Sequence, residues 1–145
     1  MGNSEQNDLI CFSTRDEQIR VHLDDVIYFE SNGNYIKMVC VGNVVTNLLT
    51  SMTSLDEIFK VVTCVKFVRV GKSHYINMKR LYQINILRKQ LVLHDAPALP
   101  LISLTASKEA LRELKQSIGE HSLVLIENFK AHNGKMQVLR EKSDL

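Results

Sequence analysis

The chain has no tryptophan, only two prolines and only three cysteines among its 145 residues. Cys11, Cys40 and Cys64 are too few and too irregularly spaced for a disulfide scaffold or a zinc motif. Each has apolar or β-branched neighbours, so we expect reduced cysteines in the core of a cytoplasmic protein. No apolar run approaches the roughly 20 residues that cross a bilayer, and no secretion signal precedes one. The sequence therefore excludes a disulfide-rich secreted domain and predicts no membrane insertion.

The motifs of common catalytic and cofactor sites are also lacking. The chain contains no GxxxxGK[ST], GxGxxG, HExxH or GxSxG pattern. His74 and His94 stand in strand-like segments without a nucleophile that spacing would pair with them, and we expect both at the surface or at a sheet edge. We therefore predict no catalytic residues, no metal and no cofactor. The sequence indicates a binding module and not an enzyme.

Positive charge is unevenly distributed along the chain. Eighteen Lys and Arg against sixteen Asp and Glu leave a formal charge of +2, so bulk charge does not indicate a nucleic-acid partner. Between residues 60 and 94, however, no acid occurs. This basic island contains Lys60, Lys66, Arg69, Lys72, Lys79, Arg80, Arg88 and Lys89. It is typical either of a phosphate-binding surface or of a merely solvated face.

The length allows one ordinary domain, and its first half has the pattern of β-strands. Residues 1–8 are polar and predict a flexible leader. From Leu9 to Leu49, short apolar segments separated by polar or glycine-containing breaks predict strands. In the second of them the alternation places His22 towards water. The segments are LICFST, QIRVHL, DVIYFE, YIKMVCV and VVTNLL.

Two segments change to a helical period. The first runs from Ser51 to Phe59, with Ser51 as the cap, and the second runs from Ser107 to Ile118, with Ser107 as the cap and Gly119 as the stop. Strand character returns between them in VKFVRV, HYINM, ILRKQLVLHD and LPLIS. The sequence therefore predicts a mainly β fold of antiparallel sheets with two short helices.

Residues 119–145 form a C-terminal extension with two apolar runs, at 123–126 and 136–139. Asn133 and Gly134 between them are a hairpin turn signal. We predict an added hairpin that packs on its own domain or on a second copy, which would give a homodimer. A loosely attached tail is the alternative that the sequence leaves open.

Four segments resemble, in order and spacing, the LytTR family of bacterial DNA-binding domains. They are DVIYFESNGNYIKM, SMTSLDEIF, FVRVGKSHYINM and LPLISLTASKEALRELKQSI. The most specific pattern, F-[VRI]-R-[VIC]-x-[RKN]-S-x-x-[VI]-N, is FVRVGKSHYIN here. The resemblance implies a DNA-binding domain over residues 9–118, with strands, small helices and DNA reading by inter-strand loops. Relatives commonly follow a receiver domain, for which residues 1–8 have no room, so we expect a stand-alone member.

The first DNA-contacting element that the resemblance implies is the loop from Asn32 to Tyr35. The Asn32 and Asn34 amides can pair with adenine, and Tyr35 can contact a phosphate or a thymine methyl. The same residues also suit a plain hairpin turn. Both interpretations stay open, since a hairpin tip could serve both.

The second implied element is the loop of residues 71–74. Lys72 stands where the family places a base-contacting residue, and Ser73 matches the family serine, but Gly71 replaces the usual histidine. Asn77 matches too, although we favour a structural role for it. From this part of the chain the DNA-contacting candidates are Arg69, Lys72, Ser73, His74, Lys79 and Arg80.

The third implied element leads into the last helix. Relatives often carry an arginine after the serine that Ser103 matches, whereas this chain has Leu104. That difference removes one expected guanine contact. The remaining candidates are Ser103 itself and Thr105, Ser107 and Lys108, which suit phosphate contacts at a helix N-terminus.

Together these features predict a bacterial transcription regulator that binds double-stranded promoter DNA in a sequence-preferring manner. The alternative is a LytTR-like protein-interaction module that regulates a partner protein without strong DNA reading. The departures at Gly71 and Leu104 favour that alternative.

Overall fold

The computed structural model describes residues 8–119, so the predicted C-terminal hairpin lies outside the described residues. Two short 3-10 turns, Leu23–Asp25 and Met78–Arg80, interrupt the strands. The strands are β1 Leu9–Ser13, β2 Gln18–His22, β3 Val26–Asn32, β4 Tyr35–Cys40, β5 Val44–Leu48, β6 Phe67–Val70, β7 His74–Asn77, β8 Leu81–Asn85, β9 Gln90–Leu93 and β10 Ile102–Thr105. The helices are α1 Met52–Val61 and α2, residues 108–119.

The described strands form three antiparallel sheets. The central sheet has the order β5-β4-β3-β7-β6, and it lies between the β1-β2 pair and the β10-β9-β8 sheet. In β2 the predicted alternation is present, with His22 exposed. The prediction of a mainly β fold with antiparallel sheets and two helices is confirmed.

The central sheet is buried on both faces. Phe29 and Leu55 belong to a core that β1, β2 and α1 close on one side. Ile27 and Leu111 belong to a second core that β8–β10 and α2 close on the other side. Strand β3 carries four consecutive buried residues, Val26–Phe29. Val26 and Phe29 face the first core and Ile27 and Tyr28 face the second, with a register shift of the β3-β4 pairing between Val26 and Tyr28. This explains why its sequence is a continuous apolar run and does not alternate.

Both helices begin at the predicted caps. The Ser51 hydroxyl accepts a hydrogen bond from the Ser54 amide at 3.1 Å, and the Ser107 hydroxyl accepts one from the Ala110 amide at 3.1 Å. Gly119, predicted as the stop of the second helix, is itself helical. Neither α1 nor any other helix of residues 8–119 has the length and apolar character to cross a bilayer.

The strand predicted over residues 86–95 is wrong at its start. Residues 86–89 form a turn, and β8 precedes it at Leu81–Asn85, where no strand is predicted. The turn contains no glycine or proline: the Asn85 side chain accepts the Arg88 amide at 3.0 Å, and Lys89 adopts a positive φ of 57°. Asn side chains that bond the backbone in this way are typical of turns, so Asn85 is the residue that indicates this turn in the sequence.

The prediction of core cysteines is wrong for two of the three. Cys11 and Cys64 are exposed and Cys40 is half-buried, and all three are free thiols. Cys11 lies on the water-facing side of β1, because its apolar neighbours occupy the inward positions of an alternating strand. Burial raises the pKa of the Cys40 thiol. Apolar neighbours in sequence therefore do not place a strand residue in the core.

Asn77 holds β7 against the start of β3. Its side-chain amide donates to the Val26 carbonyl at 2.9 Å, and its side-chain oxygen accepts the Lys79 amide at 3.0 Å. The residue is completely buried. The structural role predicted for Asn77 is therefore confirmed.

Replacement of Asn77 by alanine should destabilise the fold. The change leaves a buried carbonyl and a backbone amide without their partner, which costs about 1–3 kcal/mol for a buried group. Urea unfolding measures the loss, with Asn47→Ala on the exposed side of β5 as the control. We expect the control to stay within about 0.5 kcal/mol of the parent, and an equal effect of both substitutions would contradict the assignment.

Candidate nucleic-acid interface

The predicted loop of residues 32–35 is the tip of the β3-β4 hairpin. Asn32 pairs with Tyr35 across the hairpin, and Gly33 and Asn34 form the turn. Gly33 has a φ of +63°, and a Cβ at its position would meet no atom of residues 8–119 within 4 Å. All four residues are exposed, and Tyr35 exposes 48% of its surface. Within the described part of the chain, the tip is therefore exposed.

The second predicted loop lies directly beside this hairpin tip. Residues 71–73 connect β6 to β7, and β7 pairs with β3 in the register Glu30 opposite His74. The Ser31 amide, one residue further along β3, donates to the Ser73 carbonyl at 2.8 Å. The two loops thus lie side by side at the same end of the central sheet.

The start of α2 packs against the second loop at Gly71. A Cβ at Gly71 would lie 3.6 Å from the Cβ of Ala110, and Gly71 has a φ of +63°. This left-handed conformation favours glycine, which gives a physical reason for the departure from the family histidine. Ser107 and Lys108 precede Ala110 by one helical turn or less. We call residues 32–35, 71–73 and 107–108 the tip surface.

Strand β10, which leads towards α2, has two exposed polar residues and one inward-facing apolar residue among the predicted positions. Ser103 and Thr105 point to water, and the Ser103 hydroxyl accepts a hydrogen bond from the Gln90 side chain at 2.7 Å. Leu104 points the other way and packs against the core beside α2. The position of the family arginine is thus used for packing in this chain.

Residues 16–119 match the family model described as the LytTr DNA-binding domain, which is more than half of the chain. The chain belongs to the LytTR family. Among solved structures it is similar to the LytTr DNA-binding domain of a Bacillus cereus protein described as a methyl-accepting/DNA response regulator. The TM-score is 0.55 at 14% identity, over 77% of this chain and 97% of that chain, and this likeness concerns the fold. No curated protein matches the chain.

In this LytTR domain Arg69 braces the second loop. Its guanidinium contacts an Asp56 carboxylate oxygen at 2.7 Å and donates to the Lys72 carbonyl at 3.0 Å. The Tyr75 hydroxyl also donates to Asp56, and this bond, with Arg69, lowers the pKa of Asp56. Burial, together with the same bond, raises the pKa of Tyr75 to about 12. Arg69 therefore reaches the tip surface through the backbone of Lys72, while its own charge is paired with α1.

His74 is neither at the surface nor on an edge strand, which corrects the expectation from the sequence. Strand β7 lies between β3 and β6, and the His74 side chain is only 12% exposed. Its Nε2 lies 3.4 Å from Glu30, which also pairs with Lys37 at 3.4 Å. Burial lowers the pKa of His74, against the opposing effect of Glu30. His74 thus lies beneath the tip surface. His94, in contrast, is exposed as predicted.

The structure does not bring Lys79 and Arg80 to the tip surface. They follow the far end of β7, next to Asp24, which precedes β3, so the length of β3, about 20 Å, separates them from the tips. Lys79 pairs with Asp24 at 3.0 Å. Arg80 donates to the Asp24 carbonyl at 3.0 Å and to that of Asp95 at 3.5 Å. Both candidates therefore stabilise the opposite end of the sheet.

Two exposed basic residues beside the tip surface are absent from the predicted site. Arg88 and Lys89 lie in the β8-β9 turn, and the Lys89 carbonyl accepts the Ala106 amide at 3.1 Å, just before α2. Both belong to the basic island. The sequence predicts a strand over residues 86–89, where the structure has a turn, and so it does not indicate Arg88 and Lys89 as loop residues.

Replacement of Arg69 by lysine should loosen the second loop while the charge is kept. Lysine donates from one nitrogen and cannot bridge Asp56 and the Lys72 carbonyl as the guanidinium does. We expect faster hydrogen exchange of the Ser31 amide, which bonds the Ser73 carbonyl, and a stability loss below about 1 kcal/mol for this partly exposed pair. Lys60→Arg on α1 is the control, and unchanged Ser31 exchange in Arg69→Lys would contradict the brace.

His74 should make the folded state less stable in mild acid. Its folded-state pKa lies below the ordinary 6.5, so at lower pH the unfolded chain binds a proton that the folded chain resists. The free energy of unfolding, compared with that of His74→Gln, should fall from about pH 7.5 to about pH 5.5. Urea unfolding at both pH values tests this, with His94→Gln as the control. If the difference in the free energy of unfolding between the parent and His74→Gln is the same at both pH values, burial does not lower the pKa of His74.

Proposed function

We propose that this chain is a transcription regulator that binds promoter DNA in a sequence-preferring manner through its tip surface. The observation that supports it best is the hydrogen bond from Ser31 to Ser73. With the contact between Gly71 and Ala110, this bond joins three segments that are far apart in sequence into one exposed surface.

The dimensions of the two loops suit a groove of duplex DNA. Each loop is centred between two neighbouring strands, so the loop centres are two strand spacings apart, about 10 Å. Along a DNA strand about 10 Å corresponds to roughly three base steps. The major groove is about 12 Å wide and exposes a distinct pattern of donors and acceptors for every base pair. Two hairpin tips therefore read two positions about three base pairs apart.

The exposed side chains supply the groups that such reading requires. The Asn32 and Asn34 amides each donate and accept, which suits the adenine edge. The Lys72 ammonium suits guanine O6 and N7, or a phosphate, and the Tyr35 and Ser73 hydroxyls suit phosphate or the edge of a base.

The third segment supports phosphate binding more than base reading. The Ser107 hydroxyl accepts the Ala110 amide, so its hydrogen can still be donated to a phosphate oxygen. Lys108 lies beside it at the helix start, where unpaired backbone amides favour anions. Ser103 and Thr105 add exposed hydroxyls. Leu104 faces the core, so no arginine reads guanine there.

The packed Leu104 also favours the alternative, a LytTR-like module that regulates a partner protein without strong DNA reading. Selection from a random duplex pool by the full chain separates the two functions. A regulator enriches a recurrent motif, and its affinity for that motif falls steeply between about 50 and about 200 mM salt. A pool that stays random after repeated selection rejects the proposed function and favours the partner module.

Lys72→Ala should weaken binding to the selected duplex while stability changes by less than about 0.5 kcal/mol, because the side chain is exposed. A base contact is worth about 1–3 kcal/mol of discrimination, or roughly 5-fold to 150-fold in affinity. A phosphate contact would instead weaken all duplexes equally and lower the salt slope by about one.

Lys66→Ala is the matched control for Lys72→Ala. Lys66 is also an exposed basic-island lysine, but it precedes β6 at the opposite end of the central sheet. Fluorescence anisotropy titrations of both variants with the selected duplex show whether the tip surface contacts the DNA. If the two variants bind alike, the tip surface is not the DNA contact.

A further inference from the structure

Some basic residues of the described chain are ion-paired and others are not. Five of them each lie within 4 Å of a carboxylate: Arg15 of Asp16, Lys37 of Glu30, Lys60 of Glu57, Arg69 of Asp56 and Lys79 of Asp24. A second group lies together along α2 and the turn beside it, and none of its members pairs with a carboxylate in residues 8–119. We call this group the α2 flank: Arg88, Lys89, Lys108, Arg112 and Lys115.

The α2 members of this group form one stripe. Lys108, Arg112 and Lys115 follow at intervals of four and three residues, which places them on one side of a helix. Glu109 and Glu113 lie about 110° around the axis from that stripe, at about 100° per residue. Glu109 is three residues from Arg112, but within residues 8–119 no carboxylate lies within 4 Å of the three cations. Arg88 and Lys89 lie at the start of the stripe, because the Lys89 carbonyl bonds the amide just before α2.

This arrangement is unfavourable for the isolated helix. Lys108 in the first turn opposes the helix dipole and Glu109 beside it offsets that effect, each by about 0.3–1 kcal/mol. Lys108 and Arg112 are like charges four residues apart, which costs a few tenths of a kcal/mol, on the order of 0.2–0.5. In residues 8–119 no carboxylate lies within 4 Å of either cation. An anionic partner bound along the stripe would compensate both charges.

We propose that the α2 flank is a second DNA contact, which binds phosphates beside the bases read by the tip surface. This inference rests on the proposed function. Gly71, the first residue of the second loop, packs on Ala110, so the stripe starts beside that loop. From Lys108 to Lys115 it extends about 10 Å along the axis, a length over which one DNA strand carries roughly three phosphates. The flank supplies sequence-independent affinity where the tip surface lacks the arginine replaced by Leu104.

The double variant Arg112→Gln and Lys115→Gln tests the α2 flank. Both residues are exposed, neither caps the helix, and glutamine is a good helix former, so folding should be kept. Arg20→Gln with Lys66→Gln is the matched control, since it removes the same charge. Arg20 is exposed on β2, across the central sheet from α2, and Lys66 lies at the far end of that sheet.

The readout is the salt dependence of binding to the selected duplex and to a scrambled duplex of equal length. Loss of two phosphate contacts should lower the salt slope by about 1.8, at about 0.9 per contact, and weaken both duplexes by the same factor. Equal slopes for the two double variants, or an unchanged slope for the α2 variant, would overturn the inference. In either case a selective loss in Lys72→Ala would leave the proposed function intact, so the two failures are distinguishable.

Discussion

The arrangement of the tip surface depends on the burial of β3 on both faces. Val26 and Phe29 pack in one core and Ile27 and Tyr28 in the other, so a shift of one residue in register would move side chains of β3 between the two cores. Asn77 fixes the same register from the neighbouring strand by its bond to Val26. With β3 held in this way, the Ser31 amide meets the Ser73 carbonyl, and the two loops end at the same level.

The parts of the fold that follow from local pattern could be predicted from the sequence. The caps at Ser51 and Ser107 and the alternation of β2 depend on side chains only a few residues apart. The turn before β9 could not be predicted in the same way, because Lys89 adopts its positive φ without a glycine, and only Asn85 indicates it. Burial of His74 could not be predicted either, since it depends on the order of strands in the sheet.

In the candidate site, too, local features could be predicted from the sequence and contacts between distant segments could not. The exposed hairpin positions Asn32, Asn34 and Lys72 are local features, and the family resemblance indicates them. Whether a basic residue is available to a partner depends on pairing across long stretches of chain: Lys79 meets Asp24 and Arg69 meets Asp56 only in the folded protein. A run of basic residues in sequence therefore overstates the charge that the folded surface presents. Arg112 and Lys115 lie outside that run, pair with no carboxylate in residues 8–119, and are not among the predicted site residues.

Strand β5 restricts how two copies could share a duplex. It is an outer strand of the central sheet in residues 8–119, and Val44 and Val45 on it are exposed. Two such strands joined by a two-fold axis must run antiparallel, because parallel strands related by that axis would place like backbone groups opposite each other. The tip surfaces lie at one end of the sheet, so in such a pair they would point in opposite directions. Two copies that read one straight DNA duplex side by side must therefore meet through a different surface, or not at all.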